Sequence, residues 1–323
     1  MTTDTQPRDA TDRLGRIVYI VHGSERFHDQ ARFSILTFLD LMLKARRSDI
    51  ECIVFTDRPE LVPSHALVRT LPVSRDQVQA WRGPLDFVHR IKLEVMRRAI
   101  RQFGAPLIYL DTDTRWLNLA DAKFLELRRP RKDPPRRATL YLHTNEGSLS
   151  PQLHPRYFSS VTSDRAVKWI LETWKAQSSP PWEMWNAGAI AVPVGAEDFF
   201  EQALRLCDQL LVRLRPRTYV EQLAVSLMAA RDFTVEAIED CIHHYWGVSA
   251  EFEPVLRRFL SEVKALPTEQ QAVRAGEFPW NEASLRGHQH APVHRWKTRF
   301  AKMRNSIQKR RIDLKALLLH WVA

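Results

Sequence analysis

Apolar, β-branched runs alternate with amphipathic stretches along the first third of the chain, and this alternation restricts the fold more than any other feature. RIVYIVHG (16–23) and DIECIVFTD (49–57) read as strands, the first closing in Gly23 and the second in Asp57. Between them, FSILTFLDLMLKARR (33–47) has apolar residues at helical spacing and basic residues at its end, where the helix dipole favours them. Strand, helix, strand is a βαβ unit, which places its two strands in parallel. ALVRTLPV (66–73) adds a short strand, LDFVHRIKLEVMRRAIRQFG (85–104) an amphipathic helix stopped by Gly104, and PLIYLDTDT a buried strand ending in two carboxylates. ATLYLHTNEG (138–147) and WNAGAIAVPVG (185–195) read as later strands, separated by a helix over 163–176 and the proline turn SSPPW. EDFFEQALRLCDQLLVRL (197–214) and TYVEQLAVSLMAA (218–230) read as helices, and VEAIEDCIHHYWG (235–247) closes the mixed region. The expectation is an α/β fold with a mixed, mainly parallel sheet flanked by helices. In such sheets ligands bind beyond the carboxyl ends of the strands.

The 323 residues suffice for one large domain, expected over 16–250, with a short disordered leader at 1–15 and a basic helical extension at 251–323. No apolar run approaches the roughly 20 residues that span a bilayer. The leader lacks a basic stretch followed by an apolar one, so no secretory signal is expected. Cys52, Cys207 and Cys241 are odd in number and widely spaced, which fits buried thiols in a reducing, cytoplasmic compartment rather than a disulfide framework. The net charge of +10 favours an anionic partner. Much of that charge is local: residues 294–323 hold a single acidic residue, Asp313. No nucleic-acid motif accompanies it, so nucleic acid is not an expected partner.

The acidic pair DTD is the first chemical signal. Residues i and i+2 of a strand face the same way, so Asp111 and Asp113 can converge on one point, and their oxygens suit Mg²⁺ or Mn²⁺. A strand-end turn, with Asp accepting backbone N–H groups, is the structural alternative. CIHHYWG (241–247) offers His243 and His244, and an imidazole completes a carboxylate site well. Cys241 beside His243 hints at zinc, but no second Cys/His pair at ligand spacing supports it. Arg90 and Lys92 stand two apart on a helix and do not share a face; one is expected to meet phosphate, the other solvent or a carboxylate. Asn186, in WNAG, presents an amide beside a Gly that permits close approach. Glu221 and Gln222 stand at a helix start, where a carboxylate is either a cap or a group facing a substrate. His143, Asn145 and Glu146 in HTNEG lie at another strand end, as acceptor contacts or a base.

Taken in order, RIKLE, IYLDTD, WNAG, EQL and HHYWG resemble the nucleotide-sugar glycosyltransferases of the GT-A fold, in particular the glycogenin and lipopolysaccharide galactosyltransferase family. The resemblance spans about residues 16–250. It implies a divalent metal held by Asp111, Asp113 and His244, bridging the diphosphate of a nucleotide sugar. It further implies that Val21, His22 and Gly23, with Thr56 and Asp57, hold the base and ribose. Arg90 and Lys92 would steady ribose, phosphate or donor sugar, Asn186 the sugar hydroxyls, and Glu221 with Gln222 the reacting face. The family's D-Q appears as Glu221-Gln222 and its F-N-A-G as Trp185-Asn186-Ala187-Gly188. The Lys that follows its H-Y-x-G is absent, Arg257 and Arg258 being the nearest later basic residues.

The implied activity is transfer of a sugar from a nucleotide-diphosphate sugar, a uridine diphosphate sugar being the first expectation, to a glycan or glycolipid acceptor in surface polysaccharide or glycolipid synthesis. Trp296, Phe300, Leu314, Leu317, Leu318 and Trp321 interleave with basic residues as in a helix lying on an anionic membrane surface, which would make a cytoplasmic protein peripheral on the inner face of the cytoplasmic membrane. A solvated helix packing its apolar side on the domain is the alternative. Two other readings remain at this stage. A sugar-phosphate nucleotidyltransferase also needs a strand-end carboxylate and Mg²⁺, but VHGSERFHDQ is not a glycine-rich phosphate loop. A non-enzymatic membrane- or nucleic-acid-binding protein with a vestigial site would rest on the basic tail alone.

Overall fold

Strand β1 (Gly15–Val21) is covered on both faces, and the sheet grows outward from it. Alternation along β1 sends Val18 and Ile20 into one apolar cluster and Ile17, Tyr19 and Val21 into the other, as expected of a parallel strand with helices on both sides. The computed structural model describes residues 13–128, 137–149, 169, 172–173, 182–214 and 218–281. Residues 1–12, the basic segment 294–323, and the helix expected over 163–176 apart from helical residues 169, 172 and 173 lie outside this set.

β1 pairs in parallel with β2 (Ile50–Thr56) and with β4 (Leu107–Leu110), and β2 pairs in parallel with β3 (Val68–Pro72). On the other side, β9 (Ala189–Val192) runs antiparallel to β4 and to β6 (Thr139–Leu142), and β6 runs parallel to β10 (Thr234–Ala237). The result is a seven-stranded sheet in the order β10-β6-β9-β4-β1-β2-β3, mixed and mainly parallel as expected. Two short ribbons stand at its carboxyl edge: β5 (Thr114–Trp116) with β11 (Ile242–His244), and β7 (Asn145–Leu149) with β8 (Trp182–Trp185).

One face of the sheet is covered by α3 (Arg90–Phe103), α5 (Phe199–Arg213) and α6 (Val220–Asp232), whose apolar sides join a single cluster. The other is covered by α1 (Glu25–Lys44), α4 (Asp121–Leu127), α7 (Ser249–Val263) and α8 (Thr268–Gly276). Phe252, Leu256, Phe259 and Leu260 of α7 are buried in that second cluster, so the described part of the 251–323 region packs onto the sheet domain. Cys52, Cys207 and Cys241 are buried free thiols, as expected.

The helix expected from residue 85 starts five residues later. Gly83 (φ 68°) and Asp86 (φ 54°) adopt left-handed backbone that a helix cannot include, and a separate helix α2 (Arg75–Trp81) precedes them. The Ser74 side chain accepts the Gln77 N–H and the Gln77 side chain accepts the Ser74 N–H, a capping box that starts α2. Gly104 ends α3 at φ 72°, its N–H returning to the Ile100 carbonyl.

Candidate active site

Strand β4 ends at Leu110, so Asp111 and Asp113 lie in the bend between β4 and β5 rather than in one continuous strand. Their convergence comes from the bend and its anchors, not from the two-residue period of a strand. The Asp111 N–H donates to the Gly188 carbonyl at 2.8 Å, and the Thr114 hydroxyl reaches back to the Asp111 carbonyl at 2.9 Å. The β5–β11 ribbon then sets His244 opposite Thr114, and the Tyr245 N–H donates to the Asp113 carbonyl at 3.0 Å. Residues 131 apart in sequence are thereby brought together, with His244 Nε2 at 3.2 Å from Asp113 Oδ1.

One ligand atom each from Asp111, Asp113 and His244 lies within 4.8 Å of the others. The tautomer of His244 follows from its neighbours. Asn186 Oδ1 accepts the Gly188 N–H at 2.9 Å, and the other end of that amide, Nδ2, donates to Glu146 Oε1 at 3.0 Å. An amide oxygen only accepts, so the His244 Nδ1 at 3.0 Å from Asn186 Oδ1 carries the proton. With Nδ1 engaged, Nε2 is the ring atom that faces the Asp113 carboxylate, and a cation between them would be held by both. Ligands held at about 2.1 Å and a right angle lie about 3 Å apart, close to the separation seen. Two carboxylates and one imidazole suit Mn²⁺ or Mg²⁺, and the orienting hydrogen bond on the far ring nitrogen is the usual support of a metal-bound histidine.

Gly188 explains itself here. A Cβ at this position would stand 2.1 Å from His244 Nδ1, so only glycine lets the imidazole lie against the backbone.

Behind the carboxylates sits a buried cation. Lys92 Nζ contacts Asp111 Oδ2 at 3.1 Å, Glu221 Oε1 at 2.9 Å and the Ala187 carbonyl at 3.1 Å, and its side chain is 7% exposed. Burial works to lower the Lys92 pKa, but Asp111 and then Glu221 outweigh it, and the ammonium is held above its ordinary range. Burial likewise works to raise Asp111, while Lys92, His244 and the Tyr109 hydroxyl together keep it below the usual carboxylate range. The Tyr109 hydroxyl donates to Asp111 Oδ1 at 2.9 Å. Three neighbours thus hold Asp111 ionised and aimed.

These groups line one cavity of about 390 Å³, which opens beyond the carboxyl ends of β1 and β4, where such sheets bind ligands. His22, Lys92, Asp111, Asp113, Asn186, Glu221, Gln222 and His244 all contribute to its wall. Phe27 and Trp246, 42% and 54% exposed, rim its mouth. Burial lowers the pKa of His22, against the opposing pull of Asp57.

Five expected residues stand outside the wall. Val21 is turned into the second apolar cluster and Thr56 is fully buried. Asp57 ties down the turn after β1, accepting the Gly23 N–H at 2.9 Å and lying 3.0 Å from His28 Nε2. Arg90 points the other way: its guanidinium makes a two-point pair with Asp208 at 2.7 and 3.0 Å and donates to the Trp81 carbonyl at 2.8 Å. Two residues along a helix is about 200°, so Arg90 and Lys92 face opposite sides, and both end on carboxylates. Asn186 lies in the wall, but its amide is engaged at both ends by Gly188, His244 and Glu146. Arg257 and Arg258 pair with Glu253 and Glu262 on their own helix.

Tyr109, Phe27 and Trp246 were outside the expected set, and Glu146 was in it with another role. Tyr109 was legible, since it precedes Asp111 by two residues and could share its direction. Glu146 was visible in HTNEG only as an acceptor or base, with nothing to show that it meets two amides.

No protein-family model matches the chain, and no curated protein does. Solved structures similar to it include the galactosyltransferase LgtC, determined with donor and acceptor sugar analogues. That likeness has 11% identity over 84% of this chain and 99% of the other, at a TM-score of 0.41. The bifunctional glycosyltransferase WbbM matches at 12% identity over 88% of this chain and 53% of the other, with a TM-score of 0.42. The glycosyltransferase GlyE of Streptococcus pneumoniae TIGR4 matches at 9% identity over 85% and 62%, with a TM-score of 0.37. At these values the function rests on the residues of the cavity and not on the likeness.

Proposed function

We propose that the chain is a metal-dependent glycosyltransferase, which moves a sugar from a nucleotide-diphosphate sugar to a glycan or glycolipid acceptor. The observation that carries the reading is the convergence of Asp111, Asp113 and His244 in a cavity also walled by Glu221 and Gln222. Breaking the bond between sugar and diphosphate puts negative charge on the leaving oxygens and positive character on the anomeric carbon. Mn²⁺ or Mg²⁺ held by Asp111, Asp113 and His244 would supply the first stabilisation. Oxygen atoms of Glu221 and Gln222, which line the same cavity, would supply the second.

Within this scheme each residue has a restricted part. Lys92 pairs with Asp111 and Glu221 together, so Glu221 acts as a group held in place rather than a free base. Asn186 orients His244. Phe27 and Trp246 offer apolar surface to a base or to the face of a sugar ring. The uridine base, the place in surface polysaccharide or glycolipid synthesis, and attachment to the inner membrane face rest on the sequence resemblance and on residues 294–323 alone.

A panel of nucleotide sugars, read by thermal shift and by release of free nucleotide with and without Mn²⁺, tests the reading. One donor should stabilise the protein and be slowly hydrolysed only with metal. Silence across the panel would refute it, and diphosphate release from a nucleoside triphosphate with a sugar phosphate would point to nucleotidyl transfer instead.

A further inference from the structure

The β7–β8 ribbon has an irregular register: Asn145 pairs with Trp185 and Gly147 with Met184, which leaves Glu146 as the extra residue between them. Such bulges re-aim a side chain, and they recur beside active sites. Gly147 at φ 109° and its N–H bond to Asn145 Oδ1 at 2.8 Å hold the irregularity. The re-aimed carboxylate reaches two amides of the cavity wall. Glu146 Oε1 accepts from Asn186 Nδ2 at 3.0 Å, and Glu146 Oε2 accepts from Gln222 Nε2 at 2.9 Å.

We infer that Glu146 is a positioning residue that sets which end of the Asn186 and Gln222 amides faces its neighbours, an inference that rests on the glycosyltransferase reading. An ionised carboxylate only accepts hydrogen bonds, so both NH₂ groups must turn toward it. Together with the Gly188 N–H that the Asn186 oxygen accepts, this presents that oxygen to His244 Nδ1, which leaves Nε2 directed at Asp113. The Gln222 NH₂ is held on Glu146, and Gln222 lines the cavity, so its carbonyl oxygen is left free of Glu146 and able to accept from or face the reacting sugar. One side chain thus fixes both a metal-facing imidazole and the reacting-face amide. Without it, the Gln222 amide could rotate by half a turn at little steric cost, because its oxygen and nitrogen ends have nearly the same shape, and the Asn186 amide would keep only the Gly188 N–H to hold its orientation.

The test uses the full chain with E146Q, which keeps the shape but offers one acceptor and one donor, together with E146A and E146D. Mn²⁺ affinity is measured by titration without any nucleotide sugar, and kcat and KM are measured with the donor that the panel identifies. E146Q and E146A should weaken Mn²⁺ binding and lower kcat, each by about 10–100-fold, with donor KM little changed. E146D, which keeps both acceptor oxygens, should recover part of both. Wild-type Mn²⁺ affinity and kcat in either E146Q or E146A would overturn the inference, as would a loss confined to thermal stability. The two failures stay distinguishable through D113A. If D113A abolishes turnover while E146Q does not, the inference alone fails; if wild-type protein transfers no sugar, the reading fails and Mn²⁺ affinity still decides the role of Glu146 toward His244.

Discussion

Arg90 and Lys92 lie two residues apart on one helix, yet they belong to regions of opposite character. Arg90 joins an outer cluster between α3 and α5, where Arg97 pairs with Glu94 and Glu201 and Arg101 with Glu201 at 2.9 Å. Its members come from α3 and α5, which pack side by side outside the cavity, and Arg101 and Asp208 among them are well exposed. Lys92 enters the cavity, where it bridges Asp111 and Glu221, which come from separate segments of the chain. Exposed ion pairs are worth little, whereas a buried charge is tolerated only when fully partnered. The number of charges therefore does not mark a site. Burial of the charge among partners that line the cavity does.

The largest effect should come from breaking the buried bridge. Lys92→Met leaves Asp111 and Glu221 without their cation and should cost about 3–5 kcal/mol in chemical denaturation. A loss below about 1 kcal/mol, the worth of an exposed pair, would erase the distinction between the two regions.

Asp113→Ala should lower turnover by about 10²–10³-fold, the usual cost of losing one group that stabilises a developing charge, with little change in the melting temperature. Full turnover in this variant would make the acidic pair structural.

Gly188→Ala should weaken Mn²⁺ binding by about 10–100-fold, because the new methyl displaces the His244 ring that glycine accommodates. Unchanged Mn²⁺ affinity by titration would show that His244 is not a ligand. The smallest effect on the chemistry belongs to the outer region: Arg90→Ala should cost less stability than Lys92→Met, about 1–3 kcal/mol for the lost two-point pair, and leave donor KM unchanged. A raised donor KM would return Arg90 to the cavity and blur the contrast that separates the regions.

The same contrast explains what the sequence disclosed. The sheet was legible because β1, β2 and β4 are apolar on both faces, a pattern that belongs to strands between two helical layers. Asp111, Asp113 and His244 were legible as ligand types, and Glu221 with Gln222 as a polar pair at a helix start. What stayed hidden depends on tertiary register. The direction of Arg90 is set by Asp208 on α5, and that of Glu146 by a bulge opposite β8. No local period encodes either. The shortened α3 was hidden for another reason, since its apolar spacing continues through Leu85 and Phe87 while Asp86 leaves helical backbone.

The most direct test of the central claim is an anomalous diffraction map from crystals grown with Mn²⁺. The account predicts a peak bounded by Asp111, Asp113 and His244 Nε2, at about 2.1–2.3 Å from their ligand atoms. An active, Mn²⁺-loaded crystal with no peak there, and Nε2 still against Asp113, would contradict it.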